Sequence, residues 1–200
     1  TGADYTPSLN LAVISDDHLY STTLGNSGAA FEQYLASDRK MLAESEKILD
    51  QALENIAASG ADYLLIPGDL TKDGEKVNHE LLAEKLRAFE LRTGIEVFVI
   101  NGNHDISNAH AVSFNGDAQT RVETINSDEF RSIYADFGYA QAVAADDASL
   151  SYAVDLGDDY RLIVMDACIY NDDKENPEQE TDGAFRDETW NWVLAQIQAA

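Results

Sequence analysis

The chain has 200 residues, 44% of them hydrophobic and 25% charged, a balance that suits a packed globular domain and excludes a disordered or fibrous one. Its 13 Lys plus Arg against 37 Asp plus Glu give a formal net charge of -24, so a nucleic-acid polymer is repelled, while a small phosphorylated partner is admissible where bound cations reverse the local sign. A lone cysteine, Cys168, excludes an intrachain disulfide or multi-cysteine zinc site, and no apolar run approaches the ~20 residues that span a bilayer.

Leu9 to Ser15 is a short apolar run with β-branched residues and reads as a buried strand that delivers Asp16-Asp17-His18 at its carboxyl end. Tyr20 to Ser37 is polar and contains glycine, as a loop does. From Arg39 to Ala58 the residues Leu42, Leu49, Ala52, Leu53 and Ile56 form a helical stripe that Gly60 ends. Asp62 to Pro67 is a second strand and runs into Gly68-Asp69. Leu81, Leu82, Leu86 and Phe89 mark a second amphipathic helix closed by Gly94, and Ile95 to Ile100 is a third strand ending in Asn101-Gly102-Asn103-His104-Asp105. Strand, helix, strand, helix, strand at this spacing predicts a parallel sheet with right-handed crossovers.

Beyond Asp105 the rhythm breaks. Ile106 to Asn126 is polar, irregular and long for a connection. Ser127, followed by Asp128 and Glu129, reads as the N-cap of a short helix through Phe137. Leu150 to Leu156 and Tyr160 to Asp166 flank Gly157-Asp158-Asp159 as a hairpin, so a mixed sheet is expected. Asn171 to Gly183 is an acidic, solvated connection. Asp187 to Ala200 is a last helix with Trp190, Val193, Leu194 and Ile197 on one face and no stop signal. His79 and His110 fall outside any motif and read as surface histidines. Cys168, in the apolar run from Leu162 to Ile169, reads as a buried and inert thiol.

In open α/β sheets ligands bind at the carboxyl ends of the strands, and three consecutive strands here deliver polar residues to that edge. They offer Asp16-x-His18, Gly68-Asp69 and Gly102-Asn103-His104-Asp105. Carboxylate, imidazole and amide donors together suit manganese, iron or zinc better than calcium or magnesium. The bland alternative makes Asp16 and Asp69 helix caps and His104 a turn histidine. Three such motifs in order disfavour it. No G-x-G-x-x-G follows the first strand, which disfavours a dinucleotide site of that type.

With D-x-H, G-D and G-N-H-D in order, the sequence resembles the calcineurin-like metallophosphoesterase superfamily. The resemblance implies an α/β fold, a mixed-sheet αββα sandwich flanked by helices. It implies Asp16 and His18 on a first metal ion, Asp69 bridging two, and Asn103 on the second. It also implies a mechanism in which two transition-metal ions (Mn, Fe or Zn) ~4 Å apart polarise the phosphoryl group and acidify a bridging water. His104 would protonate the leaving oxygen, and Asp105 would hold its ring. The later histidine and G-H-x-H ligands of that superfamily are not in this sequence, so residues 1–200 are expected to be the N-terminal portion of one catalytic domain whose C-terminal part is missing. The G-N-H-D form and the GDLTKDGEK segment look more like the cyclic-nucleotide phosphodiesterase branch and its secreted bacterial relatives than like protein phosphatases. Phosphodiesters are thus favoured over phosphomonoesters, with a noncatalytic binding module as the other class. Acidity and a start at Thr1 instead of Met lean toward a secreted or surface-anchored protein.

Overall fold

The computed structural model describes residues 8–199. Three parallel strands, β1 (Leu11–Val13), β2 (Tyr63–Pro67) and β3 (Glu96–Ile100), form a sheet in that order. Val13 pairs with Leu65, and Leu64, Ile66 and Pro67 pair with Val97, Val99 and Ile100. β1 is shorter than its apolar run, yet the chain stays bonded to its neighbour beyond it. Ile14 N donates to Leu65 O at 3.1 Å, Asp16 N to Gly68 O at 3.3 Å, His18 N to Asp69 O at 3.0 Å and Leu19 N to Leu70 O at 3.0 Å. The turns after β1 and β2 are therefore aligned by main-chain bonds.

Helix α1 (Ala29–Ser37) lies where a loop was expected, and α2 covers Ser45–Ala57, so residues 38–44 are not part of the helix expected from Arg39 to Ala58. Asp38 explains the break: its Oδ1 accepts from Lys40 N at 3.0 Å, a local side-chain bond that competes with helix. α2 buries Leu49, Leu53 and Ile56 against the sheet. α3 (Lys76–Thr93) buries Leu82, Leu86 and Phe89 and ends at Gly94, whose φ of 75° is the left-handed cap that glycine adopts without a Cβ penalty. Phe31, Tyr20, Leu42 and Phe114 form a second, smaller apolar cluster.

The stretch from Ile106 to Asn126 contains a hairpin, β4 (Val112–Asn115) and β5 (Ala118–Arg121), turned at Gly116 with φ 61°. α4 (Ser127–Ile133) is capped one residue earlier than expected. Asn126 Oδ1 accepts from Glu129 N at 2.9 Å, while Glu129 Oε2 accepts from Asn126 N at 3.1 Å, a reciprocal box that Ser127 does not make. The helix stops at Ile133; Phe137 and Gly138 have non-helical dihedrals in the wide turn that follows. β6 (Ala144–Ala145), β7 (Tyr152–Leu156) and β8 (Tyr160–Val164) make an antiparallel sheet, so the two kinds of pairing occupy separate sheets. The buried Tyr152 donates its hydroxyl to Val99 O at 2.8 Å and ties the antiparallel sheet to β3. α5 (Asp187–Ala199) buries Thr189 and Val193 and exposes Trp190, Leu194 and Ile197. Ala200, the last residue of the expected helix, lies outside the described residues. No described helix is long and apolar enough to cross a membrane.

His79 is a correction: it is fully buried, not a surface residue. Its Nδ1 meets Tyr134 Oη at 2.8 Å and its Nε2 meets Asp105 O at 3.0 Å, so it joins α3 and the residue that closes α4 to the turn after β3. Burial pushes its pKa down to about 3, against an ordinary value near 6.5. The unfolded chain then takes up a proton that the folded chain refuses between those values, and stability falls as pH drops through that window by up to ~1.4 kcal/mol per pH unit. Urea titrations at pH 6 and pH 4 are expected to show this slope, and His79→Gln is expected to lose that component. Equal slopes for both proteins would remove the assignment. His110 is exposed, as the sequence suggests.

Candidate metal centre

The expected site residues stand at the carboxyl ends of the three parallel strands. Asp16, His18 and Asp69 have φ of 58°, 40° and 49° and are three of the four non-glycine residues with positive φ among the described residues. Left-handed backbone is costly for such residues and persists only where the surroundings fix it. Here the paired turns fix it. Gly68 and Gly102 permit the close approach of the second and third turns, since a Cβ on Gly102 would fall 2.1 Å from Asp69 N and 2.2 Å from Asp69 Oδ1.

One ligand atom each from His18, Asp69 and His104 lies within 4.8 Å of the others. The His18 and His104 rings meet edge to face at 4.9 Å. His18 Nδ1 lies 3.3 Å from Thr71 O, and because a carbonyl only accepts, Nδ1 carries the proton and Nε2 keeps its lone pair. That Nε2 is 3.9 Å from Asp69 Oδ2. A carbonyl-held imidazole with its other nitrogen facing a carboxylate is the usual arrangement of a metal-ligating histidine. Burial, then Lys40 and His104, lowers the pKa of His18, which favours the neutral, ligating form.

Asp16 is exposed on a cavity wall beside His18, outside the 4.8 Å group, and its Oδ2 accepts from Ser15 Oγ at 2.7 Å. Asn103 is half-buried, and its amide makes no hydrogen bond among the described residues. Asp17, passed over in the sequence, has a buried Oδ2 with no hydrogen-bond partner among the described residues. Burial, then Asp105 and Asp16, raises its pKa to about 7. Two imidazoles and a carboxylate whose ligand atoms lie within 4.8 Å of one another are donors of the kind that such ions take, so His18, Asp69 and His104 fit the metal ions that the donor types suggest.

Asp105 does not orient His104. Its carboxylate accepts from Leu70 N at 3.1 Å, Gly102 N at 2.8 Å, Thr71 N at 3.0 Å and Thr71 Oγ1 at 2.9 Å, and so clasps the second turn to the third. Burial raises its pKa to about 6, with those amide bonds opposing. The ring is held by Asp73, whose Oδ1 accepts from His104 Nδ1 at 2.8 Å. Burial works against the charged ring, but the bond to Asp73 outweighs it and the pKa of His104 lies above its ordinary value. The Asp73 carboxyl is itself held below the usual range: burial opposes this, while His104, Lys72 and Lys40 favour the anion. The buried Lys72 ammonium bonds Asp73 Oδ2 and lies 3.2 Å from Glu75 Oε1. The signal for Asp73 was present in GDLTKDGEK, though spacing alone does not show that it reaches His104.

The family model described as calcineurin-like phosphoesterase matches residues 9–195. The chain belongs to the calcineurin-like phosphoesterase family. Among curated proteins none matches it. As a calcineurin-like phosphoesterase it is a metal-dependent hydrolase of phosphoesters, and the family generally uses two divalent ions. Cys168 is not part of that chemistry. Its Sγ lies 3.7 Å from Asn101 O, and burial, then Asp166, pushes the thiol up to about 12, so no thiolate forms near neutrality.

If Asp73 orients the acid, Asp73→Asn is expected to lower kcat about 10- to 100-fold with KM little changed. Steady-state kinetics on an aryl phosphodiester check this, and a change confined to KM would contradict it.

Proposed function

We propose that this phosphoesterase hydrolyses phosphodiesters of small molecules, cyclic nucleotides among them, with Asp16, His18, Asp69 and Asn103 holding two manganese, iron or zinc ions and His104 donating the proton. The observation that carries the reading is the convergence of His18, Asp69 and His104 within 4.8 Å, with His104 Nδ1 committed to Asp73. When bound, the ions supply positive charge against the phosphoryl oxygens and a deprotonated water near neutral pH. The chain's own residues do the rest. Asp69 would hold both ions, as a carboxylate with two oxygens can. The His104 backbone N–H donates to Asp69 Oδ1 at 3.1 Å and so fixes the acid against the bridging residue. Because Asp73 accepts the Nδ1 proton, the His104 Nε2 faces the substrate, and its proton goes to the departing alkoxide. Asp105 keeps both turns in register throughout.

The preference for diesters rests on the G-N-H-D motif and the GDLTKDGEK segment. The test uses protein stripped with a chelator and reloaded with Mn2+, assayed on bis(4-nitrophenyl) phosphate and 4-nitrophenyl phosphate. Activity is expected to vanish on stripping, return on reloading and favour the diester. Preference for the monoester would support a phosphomonoesterase or nucleotidase instead, and no turnover with bound metal would support a binding module.

A further inference from the structure

Beside the three ligand turns lies a cavity of about 640 Å3, walled by Asp16, Asp17 and His18 on one side and by residues 38–41 and the start of α2 on the other. Acids dominate this region, and such a field repels any anionic substituent on a substrate. Arg39 and Lys40 are the two cations on the cavity wall. Lys40 comes from the non-helical segment that Asp38 holds, and its side chain is only 14% exposed.

The Lys40 ammonium has three protons to donate, and its contacts among the described residues are all long. It lies 3.3 Å from Lys72 O, 3.5 Å from His104 Nδ1, 3.7 Å from Asp73 Oδ1 and 4.0 Å from Asp38 Oδ2. A charge-assisted bond spans about 2.7–2.9 Å. Asp73 already has Lys72 and His104 as closer partners. Lys40 is thus a largely enclosed cation with donors to spare, on the cavity wall and beside the Nδ1 edge of the His104 ring. Arg39 is exposed, and its guanidinium forms no ion pair among the described residues.

We propose that Lys40, assisted by Arg39, determines specificity by binding a second anionic group, a carboxylate or phosphate, carried on the alcohol half of the phosphoester. This rests on the reading of His104 as the acid on the leaving-group side. It narrows the proposed phosphodiesters to those whose leaving alcohol is itself an anion, such as a phosphorylated or carboxylated alcohol, and ranks them above simple cyclic nucleotides, whose leaving alcohol carries no second charge. Within an acidic site, the selectivity arises because only that alcohol is drawn to the two cations.

The experiment compares methyl 4-nitrophenyl phosphate with methyl 3-carboxy-4-nitrophenyl phosphate on the Mn2+-loaded full chain. The carboxylated probe is expected to show a KM about tenfold lower, as one charge-assisted hydrogen bond supplies. Lys40→Met is expected to bring the ratio near one, Lys40→Arg to retain most of it, and Arg39→Gln to reduce it by about half. Saturation-transfer NMR of the two free phenols with metal-free protein is expected to show stronger contact for the carboxylated phenol, lost in Lys40→Met. Equal KM values for two hydrolysed probes, or a preference that survives Lys40→Met, overturn the proposal and leave the phosphodiesterase reading intact. Failure to hydrolyse either probe removes that reading and this inference with it.

Discussion

Replacing Asp69 by Asn is expected to lower turnover of bis(4-nitrophenyl) phosphate at least about a thousandfold, the loss that removing several kcal/mol of transition-state charge stabilisation produces. The substitution separates two roles of one side chain. Asn keeps an oxygen for the His104 N–H, which Asp69 Oδ1 accepts at 3.1 Å, and so preserves the third turn. It removes the negative charge from the position of Oδ2, 3.9 Å from His18 Nε2, where a cation needs an anionic donor. Circular dichroism and the urea midpoint should therefore stay near those of the unaltered protein, while metal content by atomic emission and kcat both collapse. Retained turnover would show that Asp69 does not bridge. Retained metal with lost turnover would assign it to the reaction instead of to binding.

Gly102→Ala is expected to damage both fold and site. The added methyl would sit 2.1 Å from Asp69 N, 2.2 Å from Asp69 Oδ1 and 2.9 Å from Asp69 Cα. Backbone atoms cannot yield as the end of a flexible side chain can, so the second and third turns must part. That movement strains or breaks the 2.8 Å bond from Gly102 N to Asp105 Oδ2. Overpacking costs about 1–3 kcal/mol, and a disrupted buried hydrogen bond adds about 1 kcal/mol or more. Gly60→Ala is the control: unlike Gly102, Gly60 has a positive φ, at 78°, but a Cβ there meets nothing within 4 Å. Its cost is about 1–2 kcal/mol from backbone strain alone, with kcat unchanged. A Gly102→Ala protein as stable and active as the Gly60→Ala protein would contradict the tight contact between turns.

The three strands were legible because each is a short apolar run that stops abruptly in polar residues, and a buried parallel strand leaves that trace. The end of α3 was legible in Gly94. The hairpin of β4 and β5 was missed although Asn115-Gly116 between Val112 and Arg121 carries a hairpin signal. His79 was misread although it lies three residues before Leu82 and seven before Leu86, on the same helical stripe. Polarity outweighed periodicity in that reading, and the fold resolves the conflict by giving both ring nitrogens partners. The ligand types were readable from three motifs. The partner of His104 was not: Asp105 is adjacent in sequence, but its carboxylate is taken by four main-chain and hydroxyl donors of the neighbouring turns, while Asp73 reaches the ring from 31 residues away.

The ladder that continues past β1, from Ile14 N to Leu65 O through Leu19 N to Leu70 O, sets the spacing of Asp16, His18 and Asp69 by peptide groups that every residue but proline carries. The distance between the first two turns therefore does not depend on the side chain at Ser15. Of the twenty residue types only proline, which has no N–H to donate, would take a rung out of this ruler.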